Sequence, residues 1–374
     1  MRKYTKVAMG IAAVGALALT ACGTPAAPSA SAPATTGTET TAPAAGFPAG
    51  SVIGVSLPQK TSENWVLAEQ LFNDGLTAAG FKPSVQFANS GVAEQQNQIS
   101  AMVTQGAKVV VVGAIDGGQL GTQLKQAKDA GAFVMAYDRL LTNTADVDFY
   151  VAFDNFKVGV LQGTALLDGL AALKGDAPYN VELIAGSPDD ANSGKFFDGA
   201  MSVLQPKIDD GTLKVVSGQT TFEQVATQGW KAENVQKRFD TLLAANYTDK
   251  PLHGILSPND TLARAALTSA EQAGMTGDDW PVATGQDSEV ESVKWIMDGK
   301  QYSTIYKDTR TLVAQTIEFV NQLAAGQTPE PNDTETYDNG VKVVPSYLIE
   351  PVIVTKDNAA EVYANDPTLG PLTK

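Results

Sequence analysis

The 374-residue sequence has one cysteine, Cys22, and one histidine, His253. A lone cysteine excludes an intramolecular disulfide and a multi-cysteine metal site, and a lone histidine leaves an acid-base triad only one candidate base. Basic charge is also scarce: 26 Lys and Arg stand against 41 Asp and Glu, a formal net charge of −15. Such a chain is a poor match to the phosphates of DNA or RNA, so nucleic acid is not an expected partner. Long apolar runs are missing too. The longest, Val7–Leu19, falls short of the roughly 20 residues that a bilayer core requires.

That run follows the basic stretch Met1–Lys6 and leads directly into Leu19-Thr20-Ala21-Cys22, the layout of a secretory signal. Residues 1–21 read as the leader. Without them 353 residues remain, a comfortable length for two lobes, and the charge becomes −18, since Arg2, Lys3 and Lys6 leave with no acid. The tetrapeptide resembles the bacterial lipobox, which implies that Cys22 becomes the first mature residue and carries lipid on its sulfur and amine. From Cys22 to Gly50 only Cys22, Glu39 and Phe47 are not Ala, Pro, Ser, Thr or Gly. This composition cannot bury a core, so residues 22–50 read as a tether and the folded body is expected to start near Ser51. The lipid would hold it to the membrane surface.

From Ser51 onward β-rich runs alternate with segments at helical spacing. The expected strands are Val52–Leu57, Ser84–Ala88, Val109–Ile115, Phe133–Tyr137, Tyr150–Phe153, Val181–Ala185, Leu213–Ser217, Gly254–Ser257, Val282–Gly285 and Tyr302–Tyr306. Between them, stretches such as Asn64–Ala79, Ala93–Thr104, Gly118–Ala130, Val158–Leu173 and Leu312–Ala325 place apolar residues three and four apart. The unbroken Val109-Val110-Val111-Val112 run predicts a strand buried on both faces, as in a parallel sheet flanked by helices. The fold class is α/β, with two doubly wound sheets of similar size, one before and one after about residue 154, and a cleft expected between them. Neither a glycine-lysine phosphate loop nor a GxGxxG follows a strand.

In such sheets ligands bind beyond the carboxyl ends of the strands. Those positions hold Glu63-Asn64-Trp65, Tyr137-Asp138-Arg139, Phe153-Asp154-Asn155, Ser187-Pro188-Asp189-Asp190-Ala191-Asn192, Ser257-Pro258-Asn259-Asp260, Gly285-Gln286-Asp287 and Tyr306-Lys307-Asp308. Carboxylates, amides, one arginine and one lysine converge with large rings. A sugar demands that mixture, because its hydroxyls both donate and accept while its C–H faces pack on aromatics. Other readings stand beside this one. An aspartate after a strand serves equally as a helix N-cap, which applies to Asp154, Asp189 and Asp260. Asp138 and Arg139 could form a local salt bridge, and Trp65 and Trp230 could be packing. Trp280 and Trp295 read as structural, and His253 precedes a strand away from the cleft.

From about Ser51 to Thr355 the chain resembles the type I periplasmic sugar-binding proteins, most closely their multiple-sugar-binding and xylose-binding branch. The resemblance rests on Ala114-Ile115-Asp116-Gly117, Ala136-Tyr137-Asp138-Arg139, Phe153-Asp154-Asn155, Gly186-Ser187-Pro188-Asp189-Asp190, Ser257-Pro258-Asn259-Asp260, Gly285-Gln286-Asp287 and Val343-Val344-Pro345-Ser346-Tyr347, in that order. It implies two lobes joined by three crossovers, with residues 51–153 and 308–345 in the first lobe and 154–307 and 346–374 in the second. It implies a monosaccharide enclosed between them. By position it makes Trp65 a stacking ring, Asp138 and Arg139 the first-lobe ligands, and Asp154 a hinge-proximal aspartate. Asn192, Asn259, Asp260, Asp287 and Lys307 would serve from the second lobe, with Gln286 beside them and Trp230 as a second ring. The branch carries arginine directly before the tryptophan, where this chain has Asn64, which lacks that charged fork.

The function so implied is that of a lipid-anchored extracytoplasmic protein, monomeric and without cofactor. It would deliver a xylose-, glucose-, galactose- or arabinose-type sugar to an ABC permease and its ATPase, or present its closed form to a sensor kinase. A glycoside hydrolase would require two carboxylates flanking a glycosidic bond. A sugar-responsive repressor would carry a DNA-binding helix pair in place of the leader and tether.

Overall fold

The computed structural model describes residues 46–60 and 62–374; the leader, Cys22 and most of the expected tether lie outside them. The body begins before Ser51. Phe47 is buried against Phe81 with ring centroids 5.9 Å apart, and its N–H donates to Ala324 O at 3.1 Å. Residues 46–50 thus belong to the body and not to the tether, because one phenylalanine among small residues suffices to anchor the segment by apolar burial.

The first lobe runs through β1 (Val52–Leu57), α1 (Glu63–Ala78), β2 (Lys82–Phe87), α2 (Val92–Thr104), β3 (Val109–Val112), α3 (Gly121–Asp129), β4 (Phe133–Tyr137) and β5 (Phe149–Phe153). The chain then crosses into α4 (Asn155–Leu173), β6 (Tyr179–Leu183), α5 (Ala191–Asp209), β7 (Leu213–Val215), α6 (Phe222–Val225), α7 (Ala232–Asn246), β8 (Gly254–Leu256), α8 (Asp260–Gln272), β9 (Val282–Ala283), α9 (Val290–Met297) and β10 (Ser303–Tyr306). It returns for α10 (Thr309–Ala324) and β11 (Ser346–Ile349), and crosses a third time into β12 (Val352–Thr355) and α11 (Ala359–Val362).

The first sheet is parallel throughout, ordered β2-β1-β3-β4-β5-β11. Its central strand shows why an unbroken valine run is needed. Val109 and Val111 enter the core shared with α1 and α10, while Val110 and Val112 enter the one shared with α2 and α3. The second sheet, β7-β6-β8-β9, is also parallel but has four strands to the first's six. α7 and α8 cover one of its faces, α4 and α5 the other.

By length and composition α4 could cross a membrane; here Val158, Leu166 and Leu170 bury its apolar stripe in the lobe. Gly159 and Gly163 let α5 approach closely, since a Cβ on either would stand within 3 Å of the Ala200 backbone.

Two expectations about the second lobe need correction. Strand β10 does not extend the four-stranded sheet but pairs antiparallel with β12, so the two sheets differ in size. The third crossover falls after Ile349 and not after Pro345: Ser346–Ile349 pairs residue by residue with Tyr150–Phe153 in the first sheet. A four-residue, partly exposed strand becomes a strand only through that distant partner.

Candidate functional site

The carboxyl ends of both sheets face a cavity of about 380 Å³ between the lobes, within the range of small-molecule sites. From the first lobe, Trp65 enters from the first turn of α1, its ring edge-on to Tyr137 at 6.0 Å. Just past β4 the backbone turns left-handed at Asp138, with φ 61°, a conformation an aspartate tolerates better than a bulkier residue. That turn points Asp138 and Arg139 into the cavity. Arg139 lies over the Trp65 ring at 5.4 Å and donates through Nη1 to Ala114 O at 3.0 Å.

The second lobe answers with charge. Arg139 Nε meets Asp190 Oδ2 at 3.0 Å across the cleft. The same carboxylate accepts from Trp230 Nε1 at 3.1 Å and caps α5 by accepting from Asn192 N at 2.9 Å. Burial pushes the Asp190 carboxyl up from its ordinary value, and Arg139 opposes that push. Lys307 Nζ stands 3.2 Å from Asp287 and 3.9 Å from Asp138 of the other lobe, 5.6 Å from the centre of the Phe196 ring. Burial alone would depress this lysine, but Asp287 and then Asp138 outweigh it and hold the ammonium above its usual range. Asp287 is presented by a left-handed pair, φ 92° at Asp287 and 51° at Ser288, a strained loop of the kind that gathers at ligand sites.

Further contacts join the lobes around the cavity. Asn192 Nδ2 donates to Asp138 O at 2.8 Å. At another point Glu63, at the start of α1, accepts from Val290 N at 3.0 Å, so a first-lobe carboxylate caps α9 of the second lobe. A negative group is favourable at that helix start.

Of the residues singled out from sequence, Trp65, Asp138, Arg139, Asn192, Trp230, Asn259, Gln286, Asp287 and Lys307 line this one cavity. Asn259 also caps α8, accepting from Leu262 N at 3.0 Å, and the Gln286 Oε1 is buried without a protein partner. The Trp230 indole lies directly against Gly186, where a Cβ would overlap it.

Asp154 and Asp260 stand outside the cavity. Asp154 caps α4 by accepting from Lys157 N at 3.0 Å. Asp260 is fully buried and accepts from Gln301 Nε2 at 2.8 Å, Glu289 N at 2.9 Å and Thr304 Oγ1 at 3.0 Å. Burial and then Glu289 raise its carboxyl well above the ordinary range. Its role is to brace the Gly285–Glu289 loop from behind.

Asp190, Phe196 and Glu289 line the cavity without having been singled out. His253 lies elsewhere, edge-on to Tyr179 at 6.0 Å with Nδ1 accepting from Asn180 N at 2.8 Å.

Residues 53–328 match a family model described as the periplasmic binding protein domain. The chain is 48% identical to the multiple sugar-binding periplasmic receptor ChvE of Rhizobium radiobacter, over 86% of this chain and 91% of that protein. It is 35% identical to the D-xylose-binding periplasmic protein of Escherichia coli K12, over 84% and 89%. Among solved structures, an ABC transporter solute-binding protein of Clostridium phytofermentans with bound β-D-glucose superposes with a TM-score of 0.82 at 39% identity, over 86% of this chain and all of that one.

Proposed function

This chain belongs to the periplasmic binding protein family, and from that premise we propose that it captures an aldose between its lobes and passes it to an ABC importer. The lobes close around the sugar without cleaving it; the protein is a binding protein and not an enzyme. The observation that carries the reading is the cavity itself, in which Asp138, Asp287, Arg139, Lys307 and Asn192 converge with Trp65, Trp230 and Phe196. Hydroxyls can donate to the first two and accept from the next two, at about 1.5–3 kcal/mol per charged hydrogen bond. The rings give the C–H faces of the sugar a surface. Closure follows from differential affinity, because only the closed form brings both lobes' groups onto one ligand. Similarity to sugar-binding relatives supports the same ligand class.

The closed form would dock on a permease driven by a cytoplasmic ATPase, and Cys22 would hold the protein by lipid to the outer face of the membrane. The junction Leu19-Thr20-Ala21-Cys22, where the leader ends at Ala21, supports the anchor. Cys22→Ser should release the protein from the membrane fraction into the soluble one; retention on the membrane would remove the lipid from the proposal. That soluble form then serves in a thermal-shift screen against pentoses, hexoses, polyols and nucleosides. One or several aldoses should raise Tm by several degrees, since a ligand of the native state stabilises it by mass action. A shift with a nucleoside and with no sugar would overturn the ligand assignment.

A further inference from the structure

Three carboxylates and two cations face one another in the buried part of the cavity. Asp138, Asp190 and Asp287 stand against Arg139 and Lys307, and none of the five side chains is more than 19% exposed. Neither cation is uncommitted. Arg139 is held by Asp190 and by Ala114 O, its guanidinium lying on Trp65, and Lys307 by Asp287 with Asp138 beyond. The remaining charged groups on the wall do not alter the balance. Glu289 is paired with Arg264 at 2.5 Å, and Lys231 and Glu233 are exposed and opposite in sign. Asn64, in the first turn of α1, contributes a polar but uncharged side chain.

We propose that this charge balance makes the site selective for uncharged aldoses and closed to sugars that carry an anion, such as uronates and sugar phosphates. The inference rests on the sugar-binding reading above. Uncharged hydroxyls can use all five groups without disturbing either ion pair. A ligand carboxylate or phosphate needs a spare cation, best a guanidinium fork. Here it could obtain one only by displacing a protein carboxylate from Arg139 or Lys307. That carboxylate would then remain beside it in a cavity that closure shields from water, and like charges brought together at a buried interface discriminate strongly against the wrong partner. The chain's net charge of −15 adds a field of the same sign during approach.

The test is calorimetry on the full chain in detergent at neutral pH, with D-glucose, D-glucuronamide and D-glucuronate, and with the galactose series beside them. The amide matches the uronate in shape and lacks only its charge. Aldose and amide should bind within about tenfold of each other, and the uronate at least about thirtyfold more weakly than its amide. A uronate that binds within threefold of its amide overturns the inference while leaving the sugar reading intact. So does exclusion of both amide and uronate beside a bound aldose, because shape and not charge would then reject them. If no aldose binds, the sugar-binding reading itself fails.

Discussion

Replacing Lys307 with methionine is expected to raise the Kd for the sugar about a thousandfold while leaving the Tm of the ligand-free protein within a few degrees. Among the described residues Lys307 is the only cation close to both Asp287 and Asp138, which come from opposite lobes. Without it, closing the lobes brings two carboxylates toward one another in a space from which water is being removed. Breaking a buried charge constellation by removing one member costs about 3–5 kcal/mol, and each 1.4 kcal/mol is about tenfold in affinity. The loss falls on the closed form, because in an open cleft water solvates both carboxylates. It should therefore appear in Kd and not in the stability of either lobe. Lys307→Arg keeps the charge in a different shape and should lose about tenfold. Titration calorimetry on the three proteins checks the series, and a Kd for the methionine variant within threefold of the wild-type value would take Lys307 out of the site.

The same contrast between local and distant causes explains what could be read from the chain. Strands β1 and β4 were legible to the residue, because Val52–Leu57 and Phe133–Tyr137 are mainly apolar runs punctuated by turn-forming residues, Gly50 and Pro58 around the first and Gly131 and Asp138 around the second. The two later strands, Ser346–Ile349 and Val352–Thr355, were not. Each has four residues, mostly half-buried or exposed, and owes its existence to a partner far away in sequence. The three crossovers came from the resemblance and not from the residue pattern, and the third was placed too early because that pairing was unseen. At the site, the rule that ligands gather beyond strand ends led to Asp138, Asp287 and Lys307. It could not separate them from Asp154 and Asp260. An aspartate after a strand has two local options, facing the cavity or turning back to satisfy a backbone N–H. The backbone decides. At Asp138 and Asp287 a positive φ turns the chain out of the helical path, whereas Asp154 keeps an extended conformation and caps the helix that follows it.

Asp190 is the residue whose loss should separate those two uses of a carboxylate. Its side chain caps α5, holds the Trp230 indole and pairs with Arg139 across the cleft. Its neighbour Asp189 turns toward Ser187 and Gln228 instead, a difference that sequence alone does not reveal. Asp190→Ala removes all three contacts. Loss of the cap costs about 1 kcal/mol, a drop of a few degrees in Tm at most for a chain of this length. The buried Arg139 left without its partner costs about 3–5 kcal/mol in the closed form, so Kd should rise by at least about a hundredfold. Asp190→Asn divides the two effects. Asparagine caps a helix as well as aspartate does, its one amide oxygen taking the place of the oxygen that accepts from Asn192 N, but its NH2 then faces the Trp230 N–H and Arg139, so it keeps neither that hydrogen bond nor the charge. Its Tm should match the wild-type value while most of the affinity is lost. If Asp190→Asn instead keeps wild-type affinity and Asp190→Ala loses it, the carboxylate acts through the α5 cap, and neither the ion pair between the lobes nor the Trp230 hydrogen bond contributes much to closure.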